Sequence, residues 1–104
     1  MGFEQYHEPV TELSKETRTI ARILVSLTEE AEAINWYEQR ISVETDKDAK
    51  AIMQNAQEEE FKHFGMDLEF LFRKMPKWKA TLEPILFKTG DIVKLGVKGD
   101  DKSE

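Results

Sequence analysis

From Val10 to Val43 the chain carries neither proline nor glycine, and apolar residues recur at Leu13, Ile20, Ile23, Leu24, Leu27, Ala31, Ile34 and Ile41. Intervals of three, four and seven are the period of an α-helix with one apolar face. Pro9 suits the first turn of such a helix, where its missing N–H costs nothing. About 30 helical residues reach about 45 Å. A rod that long cannot cover its own apolar stripe, so it needs a second element beside it.

The sequence supplies that element. After a break at Glu44–Asp46, a second helix is predicted from about Asp46 to Met75, with Ala49, Ile52, Met53, Ala56, Met66, Phe70 and Leu71 at apolar positions. Thr45 or Asp46 can cap it, and Thr45-Asp46-Lys47-Asp48 resembles a capping box. Pro76 ends it, because the residue before a proline avoids helical geometry. So short a connection predicts an antiparallel hairpin. Trp78 to Leu86 is a short helix candidate interrupted by Pro84. Gly90 marks a turn, and Asp91 can cap one more short helix through Leu95. From Gly96 the residues are polar and read as a flexible tail or linker. The expected organisation is therefore all-α: a helical domain over 1–95 and a tail over 96–104. No strand pairing and no internal repeat is visible.

Two helices from a chain of 104 residues leave broad apolar faces uncovered. The absence of cysteine removes disulfides, thiolate metal sites, iron–sulfur clusters and thiol nucleophiles together, and fits a reducing, cytoplasmic setting. A net charge of −6 repels nucleic acid and attracts cations. No run of about 18 apolar residues exists to span a membrane, and no basic, then apolar, leader opens the chain.

One constellation does not fit an ordinary hairpin. A single stripe of the first helix reads Ile23, Leu27, Glu30, Ile34, Tyr37, with a carboxylate in mid-seam. A stripe of the second reads Ile52, Ala56, Glu60, His63, Met66, Phe70. In the acidic run Glu58-Glu59-Glu60, Glu60 alone follows that stripe; the others read as a solvated face. A lone buried carboxylate costs several kcal/mol and needs a proton, an opposite charge or a metal. Glu60 and His63, one turn apart, can meet one ion from one side of a helix. Oxygen and imidazole together suit iron, manganese or zinc. Ferritin-like di-iron bundles take a Glu from each of two helices and Glu-x-x-His from each of the other two. This chain holds half of that set in Glu30 and Glu60-Phe61-Lys62-His63. A two-fold axis would supply the rest and cover the apolar faces. Two other functions suit the same residues: a non-catalytic dimerisation module whose Glu and His hydrogen-bond between helices, and a structural divalent-ion site. Trp36 and Tyr37 serve equally well as packing residues.

The stretches Glu29-Glu30-Ala31-Glu32-Ala33-Ile34-Asn35-Trp36-Tyr37-Glu38-Gln39-Arg40 and Glu58-Glu59-Glu60-Phe61-Lys62-His63 closely resemble the encapsulated ferritins, as do His7-Glu8-Pro9 and the region from Trp78 to Phe87. The resemblance implies a protomer that dimerises into a ferritin-like four-helix bundle, and dimers that form an annular decamer. It implies a ferroxidase that oxidises Fe(II) with oxygen at a di-iron centre held by Glu30, Glu60 and His63 of both chains. It places Tyr37 and Trp36 beside that centre, and Glu29 and Glu32 at an outer metal site on the route inward. It implies iron storage within an encapsulin nanocompartment, whose shell protein is the partner. A C-terminal targeting peptide and a direct fusion to the shell both fit the tail, which matches the usual apolar peptide poorly at Leu95-Gly96-Val97-Lys98-Gly99.

Overall fold

The computed structural model describes residues 6–103, with side chains through residue 101. Residues 1–5, the start of the expected helical domain, and residue 104, the end of the expected tail, lie outside the described residues. Four α-helices follow in order: α1 (Lys15–Val43), α2 (Lys47–Lys74), α3 (Pro76–Leu82) and α4 (Ile92–Ser103). Among the described residues there is no strand, and no helix is long and apolar enough to cross a membrane. The chain divides into two compact units after Glu69.

The first unit is a helical hairpin. The first helix begins later than its apolar period predicts. Val10–Glu12 form a 3-10 turn, and Ser14 in extended conformation caps α1, its hydroxyl accepting the Thr17 N–H at 3.0 Å. Leu13 keeps the helical phase in sequence but closes the 3-10 turn instead. A hydroxyl that satisfies an orphan N–H outweighs continued periodicity. α1 ends at Glu44, which turns extended while its N–H still reaches the Arg40 carbonyl at 3.1 Å. Residues 44–46 make the connection. Asp46 caps α2 by accepting the Ala49 N–H at 2.9 Å, and Glu44 Oε2 accepts the Asp46 N–H at 2.9 Å. Of the two expected caps, the structure uses Asp46, with Glu44 rather than Asp48 as its reciprocal partner.

Gln57 fixes the register of the hairpin. It is buried, and its side-chain amide donates to the Ile34 carbonyl at 3.2 Å and to Glu38 Oε1 at 3.0 Å. Because Gln57 of α2 meets residues 34–38 of α1, and residues further along α2 meet Glu30, the helices run antiparallel.

The second unit holds the end of α2 with α3 and α4. Met75 breaks α2 and leads into Pro76 at the first position of α3, where proline fits. Phe72 and Trp78 pack edge to face at 5.5 Å across this corner. The predicted third helix starts two residues early and ends at Leu82. A turn follows through Pro84, then Phe87 at φ 59° and Gly90 at φ 112°. Asp91 caps α4 as expected, accepting the Lys94 N–H at 3.0 Å.

Residues 96–103, read from composition as a flexible tail, continue α4. Their glycines are not breakers here. A Cβ on Gly99 would collide with the Thr81 carbonyl of α3 and come within 3.0 Å of Ile85 Cδ1. Gly99 is a contact residue that lets α4 lie against α3.

Candidate metal centre

Glu30 sits at the middle of α1, and Glu60 and His63 on successive turns of α2 opposite it. The hairpin brings one donor atom from each to within 4.8 Å of the other two. Glu30 and Glu60 are half-buried, and His63 is exposed. His63 Nδ1 lies 3.4 Å from Glu60 Oε1, longer than a firm hydrogen bond. The two side chains converge on the same spot.

Glu30 is the strained member. Its Oε1 is shut off from solvent and reached by no hydrogen-bond donor. The Asp67 carboxyl is close enough to act on the Glu30 charge, and Asp67 Oδ2 is likewise shielded and without a donor. Two bare carboxylates cannot bond to each other; one proton between them turns the repulsion into a hydrogen bond. Burial first, then the Asp67 bond and charge, then the Glu60 charge push the Glu30 carboxyl up to about 7, with His63 pulling the other way. A cation among Glu30, Glu60 and His63 would offset the negative charge crowded around Glu30, and an O/O/N donor set suits a first-row divalent metal. The residues therefore fit a bound metal ion.

The other expected site residues are placed as follows. Tyr37, half-buried, lies on the Glu30 stripe two turns further along α1, with the Arg40 guanidinium 5.3 Å over its ring. Glu29 and Glu32 are exposed on a different side of α1, which they share with the half-exposed Trp36, and stand apart from the Glu30 group. Glu58 is exposed, and Glu59 pairs with Lys62 at 2.8 Å, which holds its carboxyl below the ordinary range. Asp67 has no place among the residues expected from sequence. The signal for it was its position seven residues past Glu60 and four past His63, which puts it on their stripe.

The apolar residues around the site are poorly covered. Ile52 and Met66, on the stripe of α2 that carries Glu60 and His63, are 71% and 61% exposed. Among the described residues Leu71 is the one fully buried large side chain. Apolar area on this scale is a surface for association.

A helical hairpin carrying Glu on one arm and Glu-x-x-His on the other belongs to the ferritin-like class of folds. Residues 5–89 match the EncFtn-like family, and the chain belongs to that family. It is 40% identical over 101 residues to a "Ferritin-like protein" of Thermotoga maritima, covering 97% of this chain and 89% of the other. It is 42% identical over 86 residues to an "Encapsulated ferritin-like protein" of Rhodospirillum rubrum, covering 83% of this chain and 61% of that longer one. The crystal structure of a Nitrosomonas europaea protein superposes with a TM-score of 0.81 at 40% identity, covering 86% of this chain and 99% of that one.

Proposed function

We propose that this protein is a ferroxidase whose di-iron centre is completed by a second copy of the chain. The observation that carries the reading is the convergence of Glu30, Glu60 and His63 within 4.8 Å beside an uncovered apolar face. One chain offers two carboxylates and one imidazole, too few for two metal ions. A two-fold axis at the Ile52–Met66 face doubles the set and buries that face. Fe(II) is the substrate. Each Fe(II) gives up one electron; two electrons and two protons convert one dioxygen to hydrogen peroxide. The protein's part is to gather the ions, hold carboxylates that suit both iron states, and exclude bulk water.

Tyr37 flanks the centre as a catalytic neighbour on the Glu30 stripe. Glu29 and Glu32, exposed with Trp36, form an outer metal site that passes ions inward. The dimers assemble into an annular decamer and deliver ferric iron for storage inside an encapsulin shell in the cytoplasm. The R. rubrum relative's name supports the enclosed setting. Residues 96–104 lie beyond the family match and are the segment through which a tether to the shell would run.

The test is anaerobic loading with Fe(II) followed by oxygen, read by ferric absorbance and native mass on the same sample. The expected result is rapid oxidation with about two irons per pair of chains. A stable metal-free dimer with oxidation no faster than in protein-free buffer would assign the chain to a structural helical module instead.

A further inference from the structure

Glu30 and Glu60 each lie fifteen residues from Thr45, about 22 Å along their helices, so the 44–46 connection governs their relative height only from a distance. Apolar contacts between the arms add attraction without direction. Metal donors, by contrast, have to be held to within about 0.5 Å. Gln57 supplies direction close to the site. It is buried against α1, one turn before Glu60, and its Nε2 donates to two acceptors one turn apart on α1: the Ile34 carbonyl at 3.2 Å and Glu38 Oε1 at 3.0 Å. Two bonds from one nitrogen to two heights of α1 restrain α2 both along and around its axis. A buried amide adds less to stability than an apolar side chain of its size, and a single polar residue in a helical seam is a known means of selecting one register. Ile34 stands one turn past Glu30, so the tie lies beside the two carboxylates that must converge. Glu38 is not among the donors that meet within 4.8 Å.

We propose that Gln57 is a positioning residue for the metal centre: tied to Ile34 and Glu38, it holds Glu60 and His63 at the height and rotation where they meet Glu30, and so sets how tightly the site grips a divalent cation. This rests on the metal-centre reading above and adds to it a hydrogen-bonded pair, Gln57 and Glu38, that acts through the register of the helices.

The test removes the tie and then rebuilds it. Gln57→Met keeps the length of the side chain and loses both donated bonds. Gln57→Glu combined with Glu38→Gln restores a bond between the two side chains with its polarity reversed. Co(II), which is stable in air, is titrated into the full chain well below its melting temperature, where a loss of stability alone leaves the affinity of a folded site unchanged. Binding is followed by calorimetry and by visible absorption, whose bands report ligand geometry, and circular dichroism checks the fold. The expected result is Co(II) binding about tenfold weaker in Gln57→Met and in Gln57→Glu alone, and recovery to within about threefold of the parent in the paired exchange. A folded Gln57→Met variant that binds like the parent overturns the proposal. So does a paired exchange no better than Gln57→Glu alone, because the bond between the arms would then not be what places the ligands. If Gln57→Met fails to fold, Glu38→Ala at its exposed position removes one of the two ties; a loss of about threefold is expected, and no loss overturns the proposal. A folded parent that takes up no Co(II) defeats the metal-centre reading and the proposal with it, whereas a parent that binds beside an unaffected Gln57→Met variant defeats the proposal alone.

Discussion

Gln57 reaches from α2 to the backbone of α1, donating to the Ile34 carbonyl at 3.2 Å while the same nitrogen donates to Glu38 Oε1 at 3.0 Å. It lies one turn before Glu60, and Ile34 one turn after Glu30. The bond therefore sets which turns of the two helices stand opposite each other at the site. Replacing Gln57 with Glu exchanges a donor for a second carboxylate facing Glu38 and a carbonyl. Gln57→Glu is expected to lower stability by about 1–3 kcal/mol, and by more than Gln57→Ala, in urea unfolding at neutral pH. The reverse order would mean that packing alone, not the hydrogen bonds, holds the register.

Glu30 gives the metal-free protein a pH dependence of unusual sign for a carboxylate. Its folded pKa, pushed up to about 7, lies above the ordinary 4.5. The folded state thus binds more protons than the unfolded state between those values. The Glu30 contribution is fully present below about 4.5 and is lost as pH rises through about 7. Chelator-treated protein is expected to lose thermal stability across that window, and Glu30→Gln, which keeps the shape without the charge, to flatten the loss. Equal slopes for parent and variant would show that other groups govern it.

Removal of a ligand separates catalysis from folding. Glu30→Ala and His63→Ala are each expected to slow oxygen-dependent Fe(II) oxidation by at least about tenfold, while circular dichroism stays helical. Oxidation at the parent rate in both variants would discard the site assignment.

The uncovered side of α2 makes a prediction about assembly. Met66→Glu places a charge at an exposed apolar position on the stripe of Glu60 and His63. Each methionine withdrawn from an apolar contact costs pairing about 1.5–3 kcal/mol. Native mass analysis is expected to show dimers for the parent and monomers for the variant, with oxidation per chain falling in step. Unchanged dimers would move the interface elsewhere on the surface.

In the second unit, Gly99→Ala drives a methyl group into the Thr81 carbonyl, which is fixed backbone that cannot move aside cheaply. A loss of about 1–3 kcal/mol is expected, visible as faster hydrogen exchange in α4. Unaltered exchange would mean that α4 can slide along α3 without cost.

What the sequence revealed and what it hid divide along a physical line. The break at 44–46, the stop at Pro76 and the Asp91 cap were legible because each depends on a few neighbouring residues. The convergence of Glu30 with Glu60 and His63 was legible because helical phase alone puts each on a facing seam. The start at Ser14 was missed because Val10 and Leu13 keep the apolar period through a stretch that the Ser14 hydroxyl ends. The extent of α4 was missed because Gly99 finds its reason in Thr81, a residue on another helix. Asp67 was hidden in the same way: an aspartate in an acidic helix reads as a solvated charge until Glu30 is brought opposite it.

The three-residue connection at 44–46 leaves Glu30 and Glu60 each fifteen residues from Thr45. The hairpin is thus a folded ruler with its marks at equal heights. One codon gained or lost between a mark and the fold turns that carboxylate by about 100° around its helix and shifts it by about 1.5 Å. Single-residue insertions and deletions in either arm should be far more damaging than most substitutions there. Length changes in a lineage that keeps this chemistry should collect in the short connection, or beyond the site at the two ends.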